Sequence, residues 1–196
     1  MNRRGQQNVR WLTRMALLTA VAVVLGYIEH LIPMPGGIPG IKLGLANTVL
    51  LYAIYLLDAK SAFLLMILKV GLSGLMYGGV SAMMFSFGGG LCSLVMMLLV
   101  KKLGGEGVSI LGVSVVGAVF HNAGQTAVAA LVVNTAALMG YVPFLLVAAV
   151  VTGVLTGIAA KYAIQGLKAS GMENVSMPDK NSKPEPEPEH SQEEPK

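Results

Sequence analysis

Residues 33–47, Pro33-Met34-Pro35-Gly36-Gly37-Ile38-Pro39-Gly40-Ile41-Lys42-Leu43-Gly44-Leu45-Ala46-Asn47, decide how the whole chain is read. Three prolines and three glycines in the first eight positions exclude both helix and ladder pairing, so the chain reverses there. A long apolar run lies on each side of the reversal. Lys42 and Asn47 stand five apart at the entrance of the second run, where a polar side chain is costly unless it has a partner.

Working outward, 54% of the residues are hydrophobic and only 12% are charged, against roughly 25% charged in a soluble domain. The fold class that follows is an all-α integral membrane protein. Charge is segregated along it. Up to Ser170 there are eleven Lys and Arg against three acids, Glu29, Asp58 and Glu106, while the tail carries three Lys against seven acids. The basic residues are spread over short loops rather than gathered on one face with aromatics, which excludes a nucleic-acid surface. The single Cys92 excludes a disulfide framework and a cysteine metal cluster, and its apolar surroundings predict a buried structural thiol. The first apolar run has an Arg-rich approach like that of a signal peptide. It is too long for one and no small-x-small site precedes the prolines, so it reads as retained.

Six apolar runs are predicted as transmembrane helices: Trp11 to Ile32, Ile41 to Leu57, Ala62 to Tyr77, Ala82 to Val100, Val108 to Val133 and Tyr141 to Ile164. The third ends at Gly78-Gly79, a short link is expected at Asn134 to Gly140, and Pro143 falls in a first turn where a missing N–H costs little. With the N-terminus inside, Arg3, Arg4, Arg10, Arg14, Lys60, Lys101, Lys102, Lys161 and Lys168 all lie on the cytoplasmic side and only Lys42 faces out. That asymmetry predicts cytoplasmic N- and C-termini and a multi-pass protein of the cytoplasmic membrane. The expected layout is a basic N-terminus over 1–10, a membrane domain over 11–165 and a disordered, Glu- and Pro-rich tail over 166–196. Small-residue pairs at helical spacing predict close helix packing: Gly74 with Gly78 and Gly153 with Gly157 inside the bundle, and Ala16 with Ala20 either inside it or against a partner.

Chemistry, if any, rests on the polar residues within the apolar runs. Lys42 is expected at the outer boundary, Asn47 roughly 8 Å below it and Lys69 near mid-membrane, at about 1.5 Å per helical residue. A lysine at that depth costs about 3 kcal/mol on insertion scales, and Glu29 is the one outer-side acid able to neutralise it. Two lysines and His121 against one glutamate leave positive charge over, which predicts an anionic ligand. Snorkelling or capping of helix-end carbonyls is the alternative for Lys69. His121 and Gln125 share a helix face with Asn122 about a quarter-turn round, suited to binding a ligand or a neighbouring helix. Glu29 with His30, at the outer end of the first helix, reads more readily as an interfacial pair than as a functional one.

No catalytic constellation appears. The chain has no phosphate-cradling Gly loop, no Ser-x-x-Lys, no Gly-x-Ser-x-Gly and no His-Glu-x-x-His. It also lacks the paired carboxylates that would hold magnesium for prenyl-chain synthesis. Neither a cofactor nor a metal site is expected.

Four stretches carry a family resemblance: Ile38 to Asn47, Tyr55-Leu56-Leu57-Asp58-Ala59-Lys60-Ser61-Ala62, Ser86-Phe87-Gly88-Gly89-Gly90-Leu91, and Gly117-Ala118-Val119-Phe120-His121-Asn122-Ala123-Gly124-Gln125. Over about residues 11 to 165 the chain resembles the bacterial family called heptaprenyl diphosphate synthase component I, also named the Gx transporter family. That family is similar in organisation to the substrate-binding S components of energy-coupling factor vitamin transporters. The resemblance implies two alternatives, an accessory, non-catalytic subunit of a polyprenyl synthase or a small-molecule uptake protein. The missing acids favour uptake of an anionic or amphipathic solute, such as a quinone or isoprenoid precursor. Under the same resemblance Ala16 and Ala20 would meet a transmembrane coupling subunit served by ATPases, and Gly36, Gly37 and Gly40 would let the 33–40 turn act as a lid. Lys69 stands where the family pattern has arginine, which keeps the charge and loses the bidentate fork.

Overall fold

A computed structural model describes residues 3–31, 44–134, 140 and 142–169, and every regular element among them is helical. Lys42, the glycines at 36, 37 and 40, and the acidic tail from 170 onward lie outside the described residues.

Helix α1 (Arg3–Leu31) buries Met15, Thr19, Ala22, Val23 and Glu29 along one stripe at helical spacing. Ala16 and Ala20 are exposed, on the flank of the helix beside that stripe. Gly44 has a φ of +84°, which favours glycine, and the amide of Asn47 donates to the Gly44 carbonyl at 2.8 Å.

Helix α2 (Asn47–Leu56) therefore starts six residues later than the apolar run suggests. A left-handed residue at 44 cannot continue a right-handed helix from Ile41. Its ten residues rise only about 15 Å, half the hydrocarbon thickness. Most of them are also enclosed, with Val49, Leu50, Leu51, Ala53, Ile54 and Leu56 all buried.

Asp58 caps helix α3 (Ala59–Ser73) by accepting from the Ser61 amide at 3.2 Å. A single π turn, Gly74–Gly78, leads straight into α4 (Gly79–Gly104), so 46 residues run without a non-helical link. Laid straight they would reach about 69 Å, twice a bilayer. They are folded back instead. Gly79 has φ +71°, a Cβ on Gly74 would meet Met83, and one on Gly90 would meet Met66. The break expected at Gly78-Gly79 is thus a sharp backbone reversal rather than a loop.

Ser109 caps α5 (Ile110–Val133) through the Gly112 amide at 3.1 Å, and Asn134, in the left-handed region at φ 50°, ends it where the sequence places the link. Helix α6 (Val142–Ala169) carries Pro143 in its first turn and runs five residues past the expected end at Ile164. Against it, α5 packs backbone to backbone: a Cβ on Gly153 would lie 2.7 Å from Val115 Cα, and one on Gly157 3.1 Å from Leu111 Cα. These two glycines therefore pack within the bundle, as their spacing predicts.

Among the described residues, four helical stretches can cross a membrane by length and composition, 5–31, 59–104, 110–133 and 142–166, with α2 a fifth, shorter apolar helix. This is a multi-pass helical membrane protein. Its outer surface is correspondingly apolar, with Leu75 and Leu131 about four-fifths exposed. Cys92 shares that surface and is exposed, correcting the expected buried thiol. In a lipid-facing helix an apolar run marks the outside as readily as the core.

Candidate functional site

Where the C-terminal halves of α1 and α3 meet the start of α2, the bundle holds a cavity of about 20 Å³, room for about one water. Glu29, Asn47, Lys69, Ser73, Tyr77, Ser86 and His121 supply its polar wall, and Gly26, Gly44, Ala46 and Val70 complete it. Glu29 is 5%, Asn47 8% and His121 4% exposed.

The turn between Gly44 and Asn47 is held at both ends. At one end the Glu29 carboxylate accepts from the Gly44 amide. At the other, Lys69 Nζ donates to Asn47 Oδ1 at 3.0 Å. Taking that lone pair orients the Asn47 amide, and its Nδ2 is buried with no hydrogen-bond partner among the described residues.

Polar residues at 69, 73 and 77 are four apart, so one face of α3 and the following π turn lines the cavity. Tyr77 Oη lies 3.2 Å from the Val23 carbonyl and 2.9 Å from Ser73 Oγ. Its ring stacks edge-on to Tyr27 at 5.5 Å and tilts over His30 at 5.4 Å. A side chain at Gly26 would collide with that hydroxyl at 2.5 Å, so the glycine admits Tyr77 to the surface of α1. The π turn supplies the local change of pitch that such sites often use.

His121 reaches the cavity because α4 and α5 touch. A Cβ on Gly89 would stand 2.7 Å from the His121 carbonyl oxygen, 3.1 Å from Gln125 Cβ and 3.2 Å from His121 Cε1. Gly89 therefore lets α4 lie directly on the His121 turn, while Gly88 faces Val128 of α5 and Gly90 faces Met66 of α3.

Of the residues singled out in the sequence, Asn47, Lys69 and His121 come together here. Asn122 is turned away: its Nδ2 donates to the Leu145 carbonyl at 3.2 Å and joins α5 to α6. Gln125 is buried against Gly89, outside the cavity lining. Glu29 proves to be inside rather than interfacial, and Ser73, Tyr77 and Ser86 were missed. The four-residue spacing from Lys69 is the signal that finds Ser73 and Tyr77, and the scarcity of acids is the one that finds Glu29. Among the described residues no three His, Cys, Asp or Glu side chains gather as a metal site.

A small cavity with buried polar and ionisable side chains in its wall, inside an apolar helical bundle, defines a class, multi-pass membrane proteins with a buried polar site. Residues 18–163 match the family described as heptaprenyl diphosphate synthase component I. The chain belongs to that family. No curated protein and no solved structure matches it.

Proposed function

We propose that this chain is a membrane solute-binding protein organised like an S component: six crossings, both termini cytoplasmic, and a site opening to the outer side that takes a small solute through an anionic group. The observation that carries the reading is the cavity itself, where Glu29, Asn47, Lys69 and His121 share one wall inside lipid-facing helices. Keeping such groups in a membrane costs stability, and intramembrane ionisable residues mark binding sites by default. At about 20 Å³ the cavity has room for water only, so a solute needs a wider form of it. Ala16 and Ala20, exposed on α1, form the face on which a transmembrane coupling subunit would dock. The chain itself does no chemistry in this reading.

Deletion and complementation test it. Cells without the protein should lose accumulation of a quinone or isoprenoid precursor, and the Lys69→Ala and Asn47→Ala variants should fail to restore it while still reaching the membrane. Restoration by both would remove the cavity from the function.

The family's description favours a second reading, a non-catalytic membrane subunit of a prenyl diphosphate synthase. Stable co-purification with a synthase chain bearing aspartate-rich motifs, with uptake unchanged on deletion, would select it.

A further inference from the structure

We infer that the acidic tail of this chain, residues 170–196, docks on the basic rim at the end of the bundle from which it leaves, with Pro184 to Glu189 lying among Arg10, Lys60, Lys102 and Lys161. The inference is independent of the binding reading above and concerns the end of α2 opposite the cavity. That end of the bundle gathers the starts of α1, α3 and α5 and the ends of α2, α4 and α6. Trp11 Nε1 donates to Ser61 Oγ at 2.9 Å, which sets the start of α1 beside that of α3. Lys101, near the end of α4, donates to the carbonyl of Ile54 near the end of α2. Gly157 of α6 packs on Leu111 and Ser114 in the first two turns of α5. Helix α6 therefore runs back to the end where α5 begins, and Ala169 leaves the bundle there.

Charge at this end is lopsided. Arg10, Lys60, Lys102 and Lys161 are exposed there, with Arg14 and Lys101 half-buried. By position along their helices Arg3, Arg4 and Lys168 belong to the same end. Asp58 and Glu106 are the acids it carries, and Asp58 already caps α3 through the Ser61 amide. Nine basic residues thus stand against two acids. The tail has the opposite balance, seven acids against three lysines, and five of those acids follow Pro184 with only Lys196 among them.

A single exposed ion pair changes an equilibrium by less than about fivefold, so several carboxylates have to act together. Their attachment to the bundle allows it. Residues 170–184 reach up to about 50 Å when fully extended, further than two neighbouring helices at about 10 Å each. A tether of that length holds its end at an effective concentration on the order of millimolar. Proline at 184, 186 and 188 leaves Glu185 and Glu187 little backbone freedom to lose on docking. Aromatic surface of the kind that receives proline-rich strands lies among the same cations. Half-buried Trp11 reaches Ser61, next to Lys60 in sequence, and half-buried Tyr55 has the Lys101 ammonium 4.6 Å from its ring centroid.

Carbodiimide coupling of the full chain tests this, because it joins a carboxylate to an ammonium only where the two touch. In non-ionic detergent at low salt, tail peptides carrying Glu185, Glu187 or Glu189 should be recovered joined to Lys60, Lys102 or Lys161. When isotopically labelled and unlabelled protein are mixed, the joined peptides should come from one chain. The yield should fall several-fold at about 1 M salt, where the Debye length is about 3 Å. Lys60→Gln with Lys161→Gln should lower it several-fold at the unaltered Lys102. The links should persist in vesicles of phosphatidylcholine and phosphatidylglycerol in equal parts. Tail carboxylates coupled to nothing, or only to the tail's own lysines, overturn the docking. Links that join labelled to unlabelled chains overturn docking within one chain and assign the rim to a second copy's tail. Links seen in phosphatidylcholine alone and lost with phosphatidylglycerol overturn it too, and assign the rim to anionic lipid headgroups. Should the double variant fail to fold, the wild-type links and their salt dependence decide.

Discussion

Lys69 on α3 donates to Asn47 Oδ1, the first residue of α2, at 3.0 Å. One cation thus anchors the start of α2, the shortest of the described α-helices. Lys69→Ala strips a buried amide oxygen of this donor and should cost about 1–3 kcal/mol. Asn47→Ala should cost a similar amount, and the double variant little more than either, because the two share one interaction. Full additivity in thermal unfolding would show that the pair contributes nothing to stability.

Gly44 stands at φ +84° with Asn47 Nδ2 beside the place a Cβ would occupy, at 3.3 Å. Gly44→Ala should therefore lose about 1–2 kcal/mol, and Gly44→Asn less, since asparagine tolerates the left-handed region. Equal unfolding temperatures for the alanine variant and wild type would remove the strain argument.

The helices were legible because lipid forces every backbone group into a helix, so apolar runs and their Gly, Pro and Asn breaks map onto elements. Asn134 ends α5 at the place its type and the break in the pattern indicate. Helix α2 was over-read, since hydropathy registers Ile41 and Leu43 as apolar and is blind to the positive φ of Gly44. The site was half legible. Asn47, Lys69 and His121 stand out as polar residues in apolar runs, whereas the fate of Asn122 depends on which helix lies opposite, and Leu145 of α6 is 23 positions away. Glu29 reads as interfacial only while α1 is considered alone.

Gly89 and Gly71 give a paired test of how α4 meets α5. A methyl at Gly89 would meet the backbone oxygen of His121 at 2.7 Å, whereas one at Gly71 meets nothing within 4 Å. Backbone cannot rotate aside, so Gly89→Ala should destabilise by about 1–3 kcal/mol. Gly71→Ala should be neutral or stabilising by up to about 1 kcal/mol through helix propensity. A Gly89→Ala protein as stable as wild type would mean that the helices are not this close.

At the opposite end of α2, Lys101 on α4 donates to the Ile54 carbonyl, and its ammonium lies 4.6 Å from the Tyr55 ring centroid. Its charge answers the negative end of α2. Lys101→Met keeps the stem and removes both contacts, for an expected loss of about 1–2 kcal/mol. Lys101→Arg should recover part of it. A methionine variant that unfolds with the wild type would show that α2 needs no cation there.

Trp11 Nε1 donates to Ser61 Oγ at 2.9 Å, tying the start of α1 to the first turn of α3. Ser61 is fully buried, and its amide is already taken by the Asp58 cap, so its hydroxyl is the group free to accept from the indole. Ser61→Ala keeps the cap and removes only that acceptor, leaving a partly buried N–H without it at a cost of about 1–2 kcal/mol. Trp11 is the chain's single tryptophan, so its emission reports this contact without background. Ser61→Ala should shift the emission maximum and lower the unfolding temperature together, and Trp11→Phe should lower the temperature by a similar amount. Adding Ser61→Ala to Trp11→Phe should then cost almost nothing further, since the acceptor no longer has a donor to serve. An unshifted spectrum in Ser61→Ala would place the indole elsewhere and separate the N-terminal half of α1 from α3.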